Sequence, residues 1–196
     1  MKSKFLKVVC TLLMITWVST SQATLILDID ANGNLLGAKN VLVGSTLYDV
    51  GFYDGTCIAL FGGCDSQSDF TFITQADALL ASTALLDLVF LNVLGGDFDT
   101  DPSLTNGCSI LFCRAHTVYQ LDSNGFIVDS VAAENDDVSD GFWLNGIQNI
   151  NADYSAFGAE VYAVWERSVN VPEPSTLAVF ALGMIGLALR RFKTQS

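Results

Sequence analysis

The chain of 196 residues carries 21 acidic and 9 basic residues, which gives a formal net charge of −12. Six of the basic residues lie in the two ends, so the stretch 24–170 keeps three basic against 20 acidic residues and a charge near −17. Such a surface repels phosphate backbones and excludes nucleic acid as a partner, and the stretch is long enough for one domain with its own core.

Residues 1–23 have the order of parts that defines a secretory signal peptide. Three lysines at the start precede an apolar run at 8–18, and 21–23 supplies small residues at a cleavage site. Such a leader is removed from the mature protein and does not contribute to its fold. We therefore expect an N-terminal signal helix and an extracytoplasmic domain at 24–170.

Asn-Gly and Asp-Gly pairs recur along the domain and predict tight turns between strands. Short apolar or alternating runs at 25–29, 47–53 and 160–165 predict strands. The runs 117–121 and 126–131 flank an Asn-Gly pair and predict a hairpin.

One segment has the pattern of a helix rather than of a strand. Thr74 begins a capping box that ends at Asp77, and good helix formers follow until the Gly95-Gly96 pair. We expect one principal helix at about 75–92. Together with the strands, it predicts an α+β fold with a mainly antiparallel sheet and one helix packed on it.

The stretch 24–170 contains four cysteines, Cys57, Cys64, Cys108 and Cys113. An even number in an exported protein indicates disulfides. Three connectivities remain open, and we favour the local pairs Cys57–Cys64 and Cys108–Cys113 because each closes a short loop. Zinc is the alternative, and it is disfavoured because His116 is the only histidine in the chain.

Two acidic segments have the ligands of a calcium site. A D-x-D-x-N-G motif begins at Asp28, but Lys39 stands where the closing glutamate is needed, so a hairpin turn is favoured. Asp97, Asp99 and Asp101 alternate after a Gly-Gly turn and could converge on Ca²⁺. A loop that is only solvated is the favoured interpretation, so we expect no cofactor and keep calcium at these aspartates as the one candidate.

Enzymatic signatures such as G-x-S-x-G, a P-loop or H-E-x-x-H are missing from the sequence, so we expect a protein that is not an enzyme. Trp143 and Tyr154 have side chains that could stack on sugars, although core packing is the favoured explanation for them. A carbohydrate-binding module is therefore the alternative function, followed by a glycan hydrolase that uses two carboxylates.

The tail at 171–196 combines three features in a fixed order. A Pro-Glu-Pro segment (Pro172, Glu173 and Pro174) is followed by an uncharged apolar run at 175–189 and then by Arg190 and Arg191. The run predicts a short transmembrane helix at about 175–189, whose basic end stays in the cytoplasm.

This ordered combination resembles the PEP-CTERM sorting signal. The resemblance implies recognition by exosortase, a membrane-embedded protease, and removal of the tail. It also implies delivery to the cell surface or to an exopolysaccharide matrix. We expect a non-catalytic exported protein with a structural or adhesive role, held in the inner membrane by its C-terminal helix before processing, with extracellular polysaccharide as a further candidate partner.

Overall fold

The computed structural model describes residues 23–169, and nine strands and two α-helices lie within them. The strands are β1 (Ile26–Ile29), β2 (Leu35–Val43), β3 (Thr46–Tyr53), β4 (Asn92–Val93), β5 (Gly96–Asp97), β6 (Phe112–Leu121), β7 (Ile127–Asp136), β8 (Gly141–Asn149) and β9 (Glu160–Arg167). The helices are α1 (Cys57–Leu60) and α2 (Gln75–Ala84), and α2 continues through a π turn at Leu85–Val89. The predicted signal helix and the predicted C-terminal transmembrane helix lie outside the described residues.

Seven strands form one sheet in the order β1-β2-β3-β9-β6-β7-β8, and β4 and β5 form a small separate hairpin. Neighbouring strands of the large sheet are antiparallel except β6 and β9, which pair in parallel with Arg114 opposite Glu160. The prediction of a mainly β domain with one principal helix is confirmed. The sheet is mixed because the last strand inserts between β3 and β6.

Aspartates close two of the hairpins that the sequence predicts. The Asp30 carboxylate accepts hydrogen bonds from the backbone N–H groups of Asn32 and Asn34, both at 2.8 Å, between β1 and β2. The Asp122 carboxylate accepts from Phe126 and Ile127 at 2.8 and 2.9 Å, between β6 and β7. These backbone donors favour the charged form, so they lower the pKa of both aspartates.

Helix α2 begins as predicted and ends earlier than predicted. The Thr74 hydroxyl accepts from the backbone N–H of Asp77 at 3.1 Å, which satisfies one free donor of the first turn. The π turn ends three residues before the predicted end, where the Phe90 N–H donates to the Leu85 carbonyl at 2.8 Å. Phe90 then enters the core and stacks on Phe52 with ring centroids 5.2 Å apart. None of the helices within 23–169 is both long enough and apolar enough to cross a membrane.

Apolar side chains bury two faces of the sheet to different extents. Helix α2 covers one face, and its buried residues Ala78, Ala81 and Leu85 belong to the larger cluster. A second cluster, which includes Val118 and Tyr162, covers only the part of the other face that β6, β7 and β9 form. The part formed by β1, β2, β3 and the end of β9 stays open.

Candidate functional site

An open groove of 530 Å³ lies on this uncovered part of the sheet. Its lining comes from β1, β2, β3 and β9, with Asn106 at one side. Asn106 is held in place because its side-chain amide donates to the Phe52 carbonyl at 2.8 Å. The groove therefore brings together residues that lie up to about 140 positions apart in the chain.

Gly51 leaves the backbone of β3 bare in the lining of the groove. Gly37 and Gly51 lie opposite each other on β2 and β3. A Cβ atom on Gly51 would stand 2.5 Å from the Tyr53 ring, so this ring lies across the bare backbone of the strand. About half of Tyr53 (48%) stays exposed, which leaves an aromatic surface available in the groove.

The groove is also acidic, because Asp28, Asp49 and Glu166 line it together with a single cation, Lys39. Asp49 and Glu166 are direct cross-strand partners on β3 and β9, an arrangement in which like charges repel. The backbone N–H of Asn40 donates to Asp49 at 2.9 Å. Asp28 and Glu166 have no hydrogen bond or ion pair from their side chains within residues 23–169.

A network of ion pairs lies further along the same face. The Arg114 guanidinium pairs with Glu134 and, at 3.4 Å, with Glu160. The Trp143 ring stacks on this guanidinium at 4.1 Å, and its indole N–H donates to Glu134 at 2.8 Å. One ring face of Trp143 is thus already occupied, although half of the residue (50%) remains exposed.

His116 joins Ser130 to Glu160 in a serine–histidine–carboxylate row. Its Nδ1 lies 2.9 Å from the Ser130 hydroxyl, and its Nε2 lies 3.3 Å from Glu160. Catalytic serines need a hydroxyl that substrate can reach. Ser130 is fully buried, and its hydroxyl donates to the Gly146 carbonyl at 3.1 Å. These contacts therefore hold β6, β7 and β9 together. The Ser130 hydroxyl is not exposed, so it is not placed to act as a nucleophile.

Glu160 is ionised under ordinary conditions. The close contact with the His116 imidazole contributes most to holding the pKa of Glu160 below its usual range, and Arg114 adds to this. Partial burial opposes both effects by raising the pKa. The balance keeps a negative charge between His116 and Arg114.

Of the two residues predicted to stack on sugars, Tyr154 is in the wrong place to do so, because its side chain is buried. Tyr154 is only 2% exposed and stacks on Tyr162 with centroids 4.6 Å apart. Burial raises the pKa of both phenols, that of Tyr162 to about 12. The ring fills the second core because strand alternation points Tyr162 beneath it, so only Trp143 of this pair is exposed.

Of the three predicted calcium ligands, Asp97 ends β5, and Asp99 and Asp101 lie in the segment that follows it. Asp97 and Asp101 are exposed, and Asp101 accepts a hydrogen bond from the Ser103 hydroxyl at 2.5 Å. In the part of the chain from 23 to 169, no three His, Cys, Asp or Glu side chains are grouped closely enough to hold a metal ion. Calcium binding by Asp97, Asp99 and Asp101 stays a prediction.

Both predicted local disulfides are present. Cys57–Cys64 and Cys108–Cys113 each have Cα atoms 5.7 Å apart. The zinc alternative is wrong, because the four sulfur atoms form two separate S–S bonds and none is left as a thiolate ligand.

Sequence reasoning did not find the groove. Alternation along β3 was the available signal, because it places Asp49, Gly51 and Tyr53 on one side of the strand. The sequence does not show that Asp28 and Glu166 join this side, since they come from strands at the two ends of the domain.

The comparisons with known proteins concern the tail. The sequence model of the PEP-CTERM protein-sorting motif matches residues 170–191. The chain carries a PEP-CTERM sorting signal. The signal implies an exported protein that exosortase sorts to the cell surface or outside the cell. The comparison with curated proteins and the comparison with solved structures each found no match. The PEP-CTERM match begins after the last described residue. It therefore indicates where the protein is sorted and assigns no activity to the folded domain.

Proposed function

We propose that this chain is a non-catalytic surface or matrix protein with a structural or adhesive role. Its C-terminal helix holds it in the inner membrane until the tail is removed. The sorting signal at 170–191 supports this proposal most strongly, because it directs the domain to a place where surface and matrix proteins work. The two disulfides agree with an oxidising compartment.

The contacts within the Arg114–His116 cluster support a non-catalytic role for the residues of that cluster. The serine–histidine–carboxylate row is closed by the buried Ser130, and Arg114 holds the carboxylates of Glu134 and Glu160 in ion pairs. A glycoside hydrolase needs one free carboxylic acid and one free carboxylate that face each other across a substrate. These glutamates are committed to structural contacts instead.

Sorting by this signal is tested by replacing the three motif residues Pro172, Glu173 and Pro174 by alanine in the full chain. The variant should keep its tail and accumulate with the membrane fraction, whereas the parent chain reaches the surface or the medium without its tail. A matched control, Glu166→Ala, alters an acid upstream of the motif and should be sorted normally. Equal surface delivery of the motif variant and the parent would contradict the proposal.

Carbohydrate binding is the second candidate, and the exposed Tyr53 ring in the groove is the observation that favours it. Flat aromatic rings present large, rigid contact surfaces at low entropic cost. A glycan array probed with the exported protein tests this function. Signals should disappear in Tyr53→Ala and persist in Phe126→Ala, which removes an exposed aromatic ring outside the groove. An array without any signal for the parent would contradict carbohydrate binding.

A further inference from the structure

We propose that the groove between β1, β2, β3 and β9 binds an amine-bearing glycan, a chain of amino sugars whose nitrogen atoms are protonated. This inference rests on the second candidate function and adds the chemical class of the ligand. Three observations carry it: the excess of carboxylates over cations, the exposed ring of Tyr53 and the bare backbone of Gly51 beneath that ring.

The charges of the groove select a cationic ligand. Asp28, Asp49 and Glu166 face a single ammonium group, that of Lys39. Asp49 and Glu166 stand directly opposite each other, so the folded domain retains a repulsion that a cation between them would relieve. Uronic acids and other anionic sugars meet the same repulsion and are excluded by it. The domain charge near −17 strengthens this selection over longer distances.

The shape of the groove selects a sugar among cations. Two facing carboxylates are too few to enclose a metal ion, and no group of three such ligands exists within residues 23–169. The Tyr53 ring offers a flat surface beside the carboxylates, held against the bare strand at Gly51. A pyranose ring can stack on this surface while its amino group reaches Glu166. The side-chain amide of Asn106 already donates to the Phe52 carbonyl, and Asp49 already accepts from the Asn40 N–H and the Ser168 hydroxyl. Asp28 and Glu166, which have no side-chain partner within residues 23–169, therefore remain the available polar groups.

Calorimetry with soluble oligosaccharides tests the inference on the exported protein. Glucosamine oligomers with free amines should bind about tenfold more tightly than N-acetylglucosamine oligomers of equal length, because their amines can form exposed ion pairs with two carboxylates, and tenfold corresponds to about 1.4 kcal/mol. Uronic acid oligomers should not bind. Added salt should weaken only the binding of the free-amine oligomers.

Variants assign the effect to the groove. Asp28→Asn and Glu166→Gln should each weaken the binding of glucosamine oligomers by up to about fivefold. Their effect on N-acetylated oligomers should be negligible. Asp87→Asn removes the same charge from an exposed position on the helix side and should change nothing. Gly51→Ala should weaken binding of both oligomers by displacing the Tyr53 ring.

The outcomes separate the two proposals. Equal binding of free-amine and N-acetylated oligomers, with loss in Tyr53→Ala, would overturn the amine inference and leave carbohydrate binding intact. No binding of any oligomer would overturn both. Equally tight binding of an oligolysine peptide would also overturn the inference, because charge alone would then explain recognition.

Discussion

At the scale of single residues, the polar groups of this domain divide into those that the fold uses and those that it leaves free. Glu134 and Glu160 are held by Arg114, and Glu160 also by His116. Asp28 and Glu166 have no such partners within residues 23–169. The first pair should therefore control stability and the second pair binding.

Replacing Glu160 by Gln should lower the free energy of unfolding at pH 7 by about 1–3 kcal/mol, because it removes hydrogen bonds to a charged group. The pKa of Glu160 is lower in the folded state than the ordinary value of 4.5. Its contribution is therefore present above that value and is lost as the pH falls through the folded pKa.

Denaturant unfolding of both proteins from pH 7 to pH 3 measures this effect. The difference between the parent and Glu160→Gln should shrink below about pH 4.5. Glu166→Gln, which removes a carboxylate without a described partner, should not lower stability at pH 7. A constant difference across the whole range would contradict the assigned role of Glu160.

At the scale of elements, two glycines that lie opposite each other on β2 and β3 differ in what surrounds them. Alanine at Gly37 would place its Cβ against the Val50 carbonyl of the neighbouring strand, which cannot move freely. Alanine at Gly51 would instead meet the ring of Tyr53, a side chain that is half exposed and can swing away.

Gly37→Ala should therefore destabilise the domain by about 1–3 kcal/mol, the usual cost of overpacking, and Gly51→Ala by clearly less. Thermal unfolding of the two variants side by side gives the comparison, and each serves as the control of the other. Similar losses in both variants would show that the Tyr53 ring is not free to move.

The disulfide Cys57–Cys64 fastens α1 to the loop that supports the second core. The double variant Cys57→Ala/Cys64→Ala should lose about 2–3 kcal/mol of stability, the expected value for a short closed loop. Unfolding in denaturant should show this loss, and a reducing agent, which also opens Cys108–Cys113, should make the parent no more stable than the oxidised variant. A variant as stable as the oxidised parent would contradict the role of this bond.

The elements could be predicted from the sequence to the extent that their signals are local. Thr74 as a helix cap and the turn at Asn124-Gly125 depend on neighbouring residues, and both are confirmed. The parallel pairing of Arg114 with Glu160 depends on packing across the whole domain, so the sequence alone could not place β9 between β3 and β6. The groove could not be predicted for the same reason, since Asp28 and Glu166 meet only in the folded sheet.

At the scale of the whole molecule, the net negative charge of the domain opposes its compact folded state. The stretch 24–170 has a charge near −17, and such self-repulsion destabilises a folded state while keeping the protein soluble. This scale is also where the sorting signal acts, because it directs the entire domain and not one of its elements.

Added sodium chloride should raise the melting temperature of the exported protein by several degrees, because it screens this repulsion. Calcium chloride at equal ionic strength should give the same rise if it acts by screening alone. Calorimetric scans in the two salts make the comparison. A larger rise in calcium would contradict pure screening and would support the predicted site at Asp97, Asp99 and Asp101.

We have proposed that the PEP-CTERM signal sorts the exported protein and is then removed. Intact-mass measurement of the protein isolated from the cell surface or the medium tests it most directly. The isolated protein should have a mass that lacks both the N-terminal signal peptide and the segment with Arg190 and Arg191. Mature exported protein that still carries Arg190 and Arg191 would contradict it.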